Sequence, residues 1–502
     1  MAGRHVLAID QGTTGTKALI VAEDGQVVSS QSQEFQQFYP RPGWVEHDPD
    51  EIWRTVTETA DAALRSAGIR PGELAGIGIT NQRETTVAWE RDTGSPVHNA
   101  IVWQDRRTAG MCRRLAASGA APTFRDKTGL LLDAYFSGTK IAWLLDNVSG
   151  LRKRAEAGEI AVGTIDSWLV YKLTGGREHL TDQTNASRTL LMNLAGLCWD
   201  DALCDLLQVP REVLPVIRPS SQVYGETDPA AFLGAAVPVA GILGDQQAAL
   251  FAQACFEPGQ AKNTYGTGSF VLVNTGTQPR LGSEKLVATV ACGIDGQPTE
   301  YALEGSIFVT GAAVQWLRDS LGVISDAAET EQLAASLDSN EDVWFVPALV
   351  GLGAPEWDPQ ARGALLGATR GTGRAHLARA VLESEAYQTR DVVEVTNAES
   401  GQPVTELRAD GGAAVNGWLM QFQSDILGIP VDVPTVTETT SLGSAYVAGL
   451  ATGVFSDREE VQCTRRTAWR YEPRMSADQR EALQARWREA VERAGHWARD
   501  EA

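Results

Sequence analysis

Twice along its 502 residues the chain runs a short apolar stretch into a glycine- and threonine-rich turn and out into a second apolar stretch. The first copy is residues 6–10, then Gln11-Gly12-Thr13-Thr14-Gly15-Thr16-Lys17, then Ala18-Leu19-Ile20-Val21. The second is Asn263-Thr264-Tyr265-Gly266-Thr267-Gly268-Ser269 followed by Phe270-Val271-Leu272-Val273, about 254 residues further on. Each reads as a β-hairpin. Asp24-Gly25 closes the first much as Asn274-Thr275-Gly276 closes the second. A chain this long exceeds one hydrophobic core. A motif that recurs at half its length predicts a duplicated domain, with halves at 1–253 and 254–502; a chance pair of hairpins is the alternative.

Between the hairpins, strands and helices alternate, which predicts an α/β fold. Residues 50–67 have the spacing of an amphipathic helix, and 74–80 read as a buried strand that delivers Asn81-Gln82-Arg83-Glu84-Thr85-Thr86 at its end. The apolar run 240–244 leads into Asp245-Gln246-Gln247 and a helix from 248 onward, placing Asp245 near the helix N-cap. Arg408-Ala409-Asp410-Gly411-Gly412 ends another strand, with a helix expected over 413–427. At the far end Ser476 and Gln479 form a capping box, ahead of Leu483, Trp487, Val491 and Ala494 at helical spacing.

The two turns carry the first chemistry. Glycines let backbone N–H groups converge on an oxyanion, and threonine hydroxyls add donors. Asp10 would repel a phosphate directly but fits if a divalent cation stands between them. Lys17 either neutralises phosphate charge or caps the hairpin. A P-loop sequence is absent, and Gly12-Thr13-Thr14-Gly15 lacks dinucleotide-fingerprint spacing.

Arg83 and Glu84 offer a polyol a donor fork and an acceptor, provided the strand has already ended, because strand neighbours point to opposite faces. An ordinary surface ion pair is the other reading. Asp245, placed where a helix favours negative charge, suits a general base that takes a proton from an attacking hydroxyl; a plain helix cap is the alternative. Gly411-Gly412 permits close approach of a ring or a phosphate, and Asn416 offers hydrogen bonds to a base or ribose; a tight structural turn would look the same.

Charge and hydropathy exclude other classes. With 64 acidic against 43 basic side chains, net −21, the chain lacks the basic surface nucleic-acid binding requires. The six cysteines show no metal or redox spacing. No apolar run approaches the length of a membrane span or a secretion signal, so a cytoplasmic protein with reduced thiols is expected.

Taken together, these blocks resemble the FGGY carbohydrate kinase family and, within it, the members that act on glycerol. The resemblance rests on Asp10-Gln11-Gly12-Thr13-Thr14, Pro42-Gly43-Trp44-Val45-Glu46-His47-Asp48-Pro49, Asn81-Gln82-Arg83-Glu84-Thr85-Thr86 and Tyr135-Phe136-Ser137-Gly138-Thr139-Lys140 with Trp143. Gly244-Asp245-Gln246-Gln247, the second turn, Gly363-Ala364-Leu365-Leu366-Gly367 with Glu383, and Asp410-Gly411-Gly412 complete it. It implies two ribonuclease H-like domains of the actin/Hsp70/sugar-kinase superfamily with an ATP cleft between them. It implies glycerol held by Arg83, Glu84, Tyr135, Asp245 and Gln246 against Trp103 and Phe270, with Asp245 as the base. ATP would lie against Thr13, Thr14, Gly15, Lys17 and Thr267, with Gly311, Gln315, Gly412 and Asn416 around ribose and adenine. Mg2+ would be organised by Asp10 and Asp245, the product would be sn-glycerol 3-phosphate, and a homodimer or homotetramer would be usual.

The sequence departs from that pattern in places. Gly15 stands where serine is usual and Lys17 where arginine is frequent. Some relatives bind fructose 1,6-bisphosphate through a basic loop, whereas no Lys or Arg occurs here between Arg218 and Lys262. Others carry a phosphorylated regulatory histidine; there is none near Ser221-Gln222-Val223-Tyr224-Gly225. Insensitivity to both controls is expected. Two alternatives remain: a kinase for a related polyol or pentulose, and a non-catalytic actin- or Hsp70-like nucleotide switch.

Overall fold

The structure, a computed structural model, describes residues 4–498. The first hairpin joins His5–Gln11 to Gly15–Ala22, closed by Gly12 N–H donating to Gly15 O at 2.9 Å. These strands sit in a six-stranded sheet whose order is Ser221–Glu226, Pro238–Gly244, Leu74–Asn81, His5–Gln11, Gly15–Ala22, Val27–Glu34. The second hairpin, Ala261–Tyr265 and Ser269–Gly276, sits in a seven-stranded sheet. Its order is Val287–Cys292, Glu300–Ile307, Ser269–Gly276, Ala261–Tyr265, Leu407–Gly411, Val431–Pro434, Thr467–Tyr471.

The two sheets repeat one pattern. In each, the first hairpin strand is antiparallel to its partner and parallel to a later strand, which is parallel in turn to a third. Register places the ends of the parallel strands side by side: Gln11 pairs with Asn81, Asn81 with Gly244, and Tyr265 with Gly411. The segments that leave those ends are the two turns, Gln82–Glu84, Asp245 and Gly412. The carboxyl ends of parallel strands are where open α/β sheets bind ligands, so topology alone gathers the candidate residues.

The expected helix over 50–67 is Pro49–Ala67, capped by Asp48 at its start and by Gly68 in the left-handed region (φ 69°) at its end. Ile52, Val56, Ala60 and Ala63 bury its inner stripe. The expected helix over 413–427 is interrupted. Gly412–Val415 is a short 3-10 turn, Asn416 is extended, and Gly417–Leu427 is the helix proper. The Asn416 side chain accepts from Leu419 N–H at 3.0 Å, so the residue is an N-cap, and a capping asparagine starts a new helix.

Sequence order and spatial membership part company at Thr439–Thr452. This helix follows the strands of the second sheet, yet it lies across the first. A Cβ on Gly78 would meet Ser444 O at 2.1 Å, one on Gly241 would meet Ala448 N at 2.6 Å, and one on Gly443 would meet Ala248 O at 2.0 Å. Backbone this close leaves room for hydrogen alone. All six cysteines are unpaired, and among the described residues no helix is long and apolar enough to cross a membrane.

The long helix Arg374–Ser400 buries one unpartnered acid. Glu385 is fully buried, and neither carboxylate oxygen has a hydrogen-bond partner. Burial pushes its carboxyl up to about 8. Because the folded-state value lies above the unfolded one, its contribution to stability is intact below about 4.5 and is lost as pH rises towards 8. Glu385→Gln is therefore expected to flatten this decline. Melting temperatures of the two proteins should diverge steadily between pH 5 and 8, the variant gaining with pH; parallel curves would refute it.

Candidate active site

Arg83 and Glu84 follow a strand that ends at Asn81, and Glu84 has φ 61°. That left-handed backbone, which costs of order 1–3 kcal/mol at a non-glycine residue, turns successive side chains toward a shared region. Neither is a surface residue: Arg83 is 2% and Glu84 1% exposed, so the reading as a surface ion pair is overturned. They do not pair with each other but join a longer network. Arg83 Nε meets Asp245 Oδ1 at 3.0 Å, and its Nη1 and Nη2 donate to Glu304 at 2.6 and 3.2 Å. Arg188 then links Glu304 (2.9 Å) to Glu84 (2.7 Å). The chain of contacts is Asp245–Arg83–Glu304–Arg188–Glu84, two cations among three carboxylates.

The electrostatics differ along it. Burial works to raise the Glu304 carboxyl, but the Arg188 and Arg83 guanidinium groups overcome it and hold it down at about 2. Burial wins at Glu84, which is raised despite Arg188 and Arg83, and at Asp245, which is raised despite Arg83. Asp245 is the first residue of the helix Asp245–Ala252, with Gly244 as its N-cap. The helix terminus was expected to favour its charge; burial outweighs that, making the carboxylate more basic while Arg83 opposes protonation. That combination suits a proton acceptor.

Aromatic groups frame these charges. Trp103 and Tyr135 meet edge to face at 5.7 Å between ring centroids, Arg188 lies 5.6 Å from the Tyr135 ring centroid, and Arg83 lies 5.7 Å from that of Phe270. Trp103 Nε1 also donates to Thr13 Oγ1 at 2.9 Å, tying this pocket to the first turn. Burial pushes the Tyr135 hydroxyl far up, so it stays a neutral hydrogen-bonding group. Gln246 lies beside Asp245, its backbone N–H on Asp245 Oδ1 at 2.7 Å.

Around the turns, Gly15 is a close-packed position: a Cβ there would stand 2.8 Å from Gln33 O on the neighbouring strand. Lys17 lies within the Gly15–Ala22 strand and forms an ion pair with Glu438, so a phosphate would compete with that carboxylate for its ammonium. The second turn, with Thr267, is braced by the start of the helix Gly311–Asp319: Gly311 N–H donates to Gly266 O and Ala312 N–H to Thr267 O. Gln315 is exposed on that helix. Gly412 is exposed, and a Cβ on it would meet nothing within 4 Å, which leaves one open face beside Asn416.

Asp10 accepts from Ser441 Oγ at 2.8 Å. Burial raises its carboxyl to about 6, with Ser441 and Lys17 opposing and Asp245 and Glu438 adding to the rise. A carboxylate raised by burial and by a neighbouring acid is relieved by a divalent cation. Among the described residues no group of three or more His, Cys, Asp or Glu could enclose a metal. Mg2+ does not need one, since it binds through one or two carboxylates, water and substrate phosphates. The residues fit that group.

Glu304 and Arg188 at the heart of the network escaped the sequence reading. Glu304 had one signal, a lone charge inside the apolar run Tyr301-Ala302-Leu303-Glu304-Gly305-Ser306-Ile307; Arg188 had none in its local polar stretch.

Comparison with known proteins gives the site its class. Residues 5–252 match the sequence model for the N-terminal domain of the FGGY family of carbohydrate kinases, and residues 261–452 match that for its C-terminal domain. The chain belongs to this family, and is a kinase. Within it, the similarity is to glycerol kinases. The chain is 57% identical over 494 residues to glycerol kinase 2 of Thermotoga maritima, covering 98% of this chain and 99% of that one. It is 55% identical over 491 residues to the glycerol kinase of Thermus thermophilus, with 98% and 99% covered. Among solved structures, Plasmodium falciparum glycerol kinase with ADP superimposes at a TM-score of 0.91, with 35% identity and 98% of each chain covered.

Proposed function

We propose that this kinase transfers the terminal phosphoryl group of ATP to glycerol, yielding sn-glycerol 3-phosphate and ADP, with Asp245 as the general base. The observation that carries the reading is the pairing of Asp245 with Arg83 inside an aromatic-walled pocket whose Trp103 touches the first phosphate turn. Arg83 and Gln246 supply donors to a polyol, Glu84 an acceptor, and Trp103, Tyr135 and Phe270 cover its carbon skeleton. Asp245 takes the proton of a terminal hydroxyl as that oxygen bonds to the terminal phosphorus of ATP and the bond to the ADP oxygen breaks. Thr13, Thr14, Gly15 and Thr267 face the phosphates from the two turns, and Gly311, Gln315, Gly412 and Asn416 border the nucleoside end. Asp10 and Asp245 would hold Mg2+, which neutralises phosphate charge.

ADP release from Mg-ATP across a panel of polyols and sugars tests this. Glycerol-dependent turnover is expected. Preference for a pentulose would replace the substrate, and hydrolysis indifferent to any polyol would favour a nucleotide switch. In the same assay, micromolar fructose 1,6-bisphosphate is expected to leave glycerol turnover unchanged, since no Lys or Arg lies between Arg218 and Lys262; inhibition would show another effector site.

A further inference from the structure

Lys262 lies on the strand Ala261–Tyr265 and is 0% exposed, with Thr264 on the same face. Its ammonium donates to Thr264 Oγ1 at 2.9 Å and to Oε1 of Gln246. Burial pulls its titration down to about 8; Asp410, Glu304 and Asp245 act on it as neighbouring charges, and Arg83 repels it. Burying an ammonium is costly, and an apolar side chain of similar length would fill this space more cheaply.

The contact with Gln246 shows what the charge can do. A glutamine amide offers oxygen on one side and N–H2 on the other, and either end can face a ligand. A lysine ammonium has donors only. The atom of Gln246 that faces Lys262 must therefore be the oxygen, and the N–H2 is turned away from it. The neighbouring Gln247 is held in the same manner, its oxygen accepting from Arg83 Nη1 at 3.2 Å and its N–H2 donating to Thr289 Oγ1 at 3.0 Å. Gln247 uses up both ends inside the protein. Among the described residues the only side-chain hydrogen bond of Gln246 is the one through its oxygen to Lys262, and Gln246 is 7% exposed.

We propose that Lys262 is a positioning residue that locks the Gln246 amide with its N–H2 toward the polyol, so that this corner of the pocket accepts a hydroxyl oxygen and rejects its absence. The proposal rests on the reading that Gln246 contacts the polyol. Beside it, Glu84 takes a hydroxyl hydrogen, and the pocket then distinguishes a substrate with a full set of hydroxyls from one lacking one, because a buried polar group left unpaired is penalised.

The test compares kcat/KM for glycerol with that for propane-1,2-diol and propane-1,3-diol in wild type, Lys262→Met, Gln246→Ala and the double variant. In Lys262→Met, glycerol kcat/KM is expected to fall about 10²-fold, chiefly through KM, while the value for the diol lacking the Gln246-bound hydroxyl changes less than about threefold, so selectivity collapses. On the Gln246→Ala background Lys262→Met should add nothing. Equal losses on all three substrates, or a further loss on top of Gln246→Ala, would overturn the proposal. If Lys262→Met does not fold, Gln246→Glu decides: its carboxylate still accepts from Lys262 but has no N–H2, so selectivity must again collapse, and retained selectivity would overturn the idea. Wild type without glycerol turnover would remove the functional reading itself; turnover with unchanged selectivity in the variants would remove only the role of Lys262.

Discussion

Asp245→Asn should lower kcat for glycerol phosphorylation by about 10²–10⁴-fold, the range general-base catalysis supplies. The substitution keeps the shape of the side chain and an oxygen for Arg83 Nε, which sits 3.0 Å away in the native site. What it removes is the capacity to hold a proton. The folded protein should be no less stable, because the buried network then balances two guanidinium groups against two carboxylates, Glu84 and Glu304, in place of three. Glycerol affinity, measured by calorimetry, should change far less than turnover. Activity within a few-fold of wild type would show that another group takes the proton.

Arg188→Met is expected to cost stability on a scale Asp245→Asn does not. Arg188 is 0% exposed and is the direct partner of Glu84 (2.7 Å), while sharing Glu304 with Arg83. Removing one member of a buried ion network leaves a charge uncompensated, typically costing about 3–5 kcal/mol. The Glu84 carboxyl, already raised by burial, loses the neighbour that most opposes the rise. That carboxyl should be pushed further up, which weakens it as an acceptor for the polyol. Denaturant unfolding should show the loss, and glycerol KM should rise alongside. Adding Glu84→Gln should recover part of the stability, since the orphaned charge is gone, without restoring KM. If Arg188→Met unfolds at the wild-type midpoint, the network is not what holds this pocket.

How much of this was legible in the sequence depends on distance along the chain. The two hairpins were visible because each is contiguous: apolar run, glycine turn, apolar run. Asp245 was visible because a strand and a helix meet at it. The network was not, because Arg83 and Glu304 are 221 residues apart and Arg188 and Glu304 are 116 apart. Only the packing of one half of the chain against the other brings them together, and no local pattern encodes contacts between halves. Local chemistry also misled once at Asn416, where a helical spacing continued through a residue whose capping preference breaks it. The positions assigned to nucleotide and polyol came from family resemblance; periodicity alone left Arg83 and Glu84 open to a surface reading that their burial has closed.

The helix Thr439–Thr452 bears on how such a molecule can bend. It is anchored on the first sheet through Gly78 and Gly241, where no side chain intervenes, yet both of its ends run into strands of the second, Val431–Pro434 and Thr467–Tyr471. Counting the link from the helix Asp245–Ala252 to the strand Ala261–Tyr265, the backbone crosses between lobes three times. Three tethers limit how far one lobe can twist or slide against the other more than one would. Ser441, at the first turn of this helix, touches Asp10, so one of the three crossings lands directly beside that carboxylate.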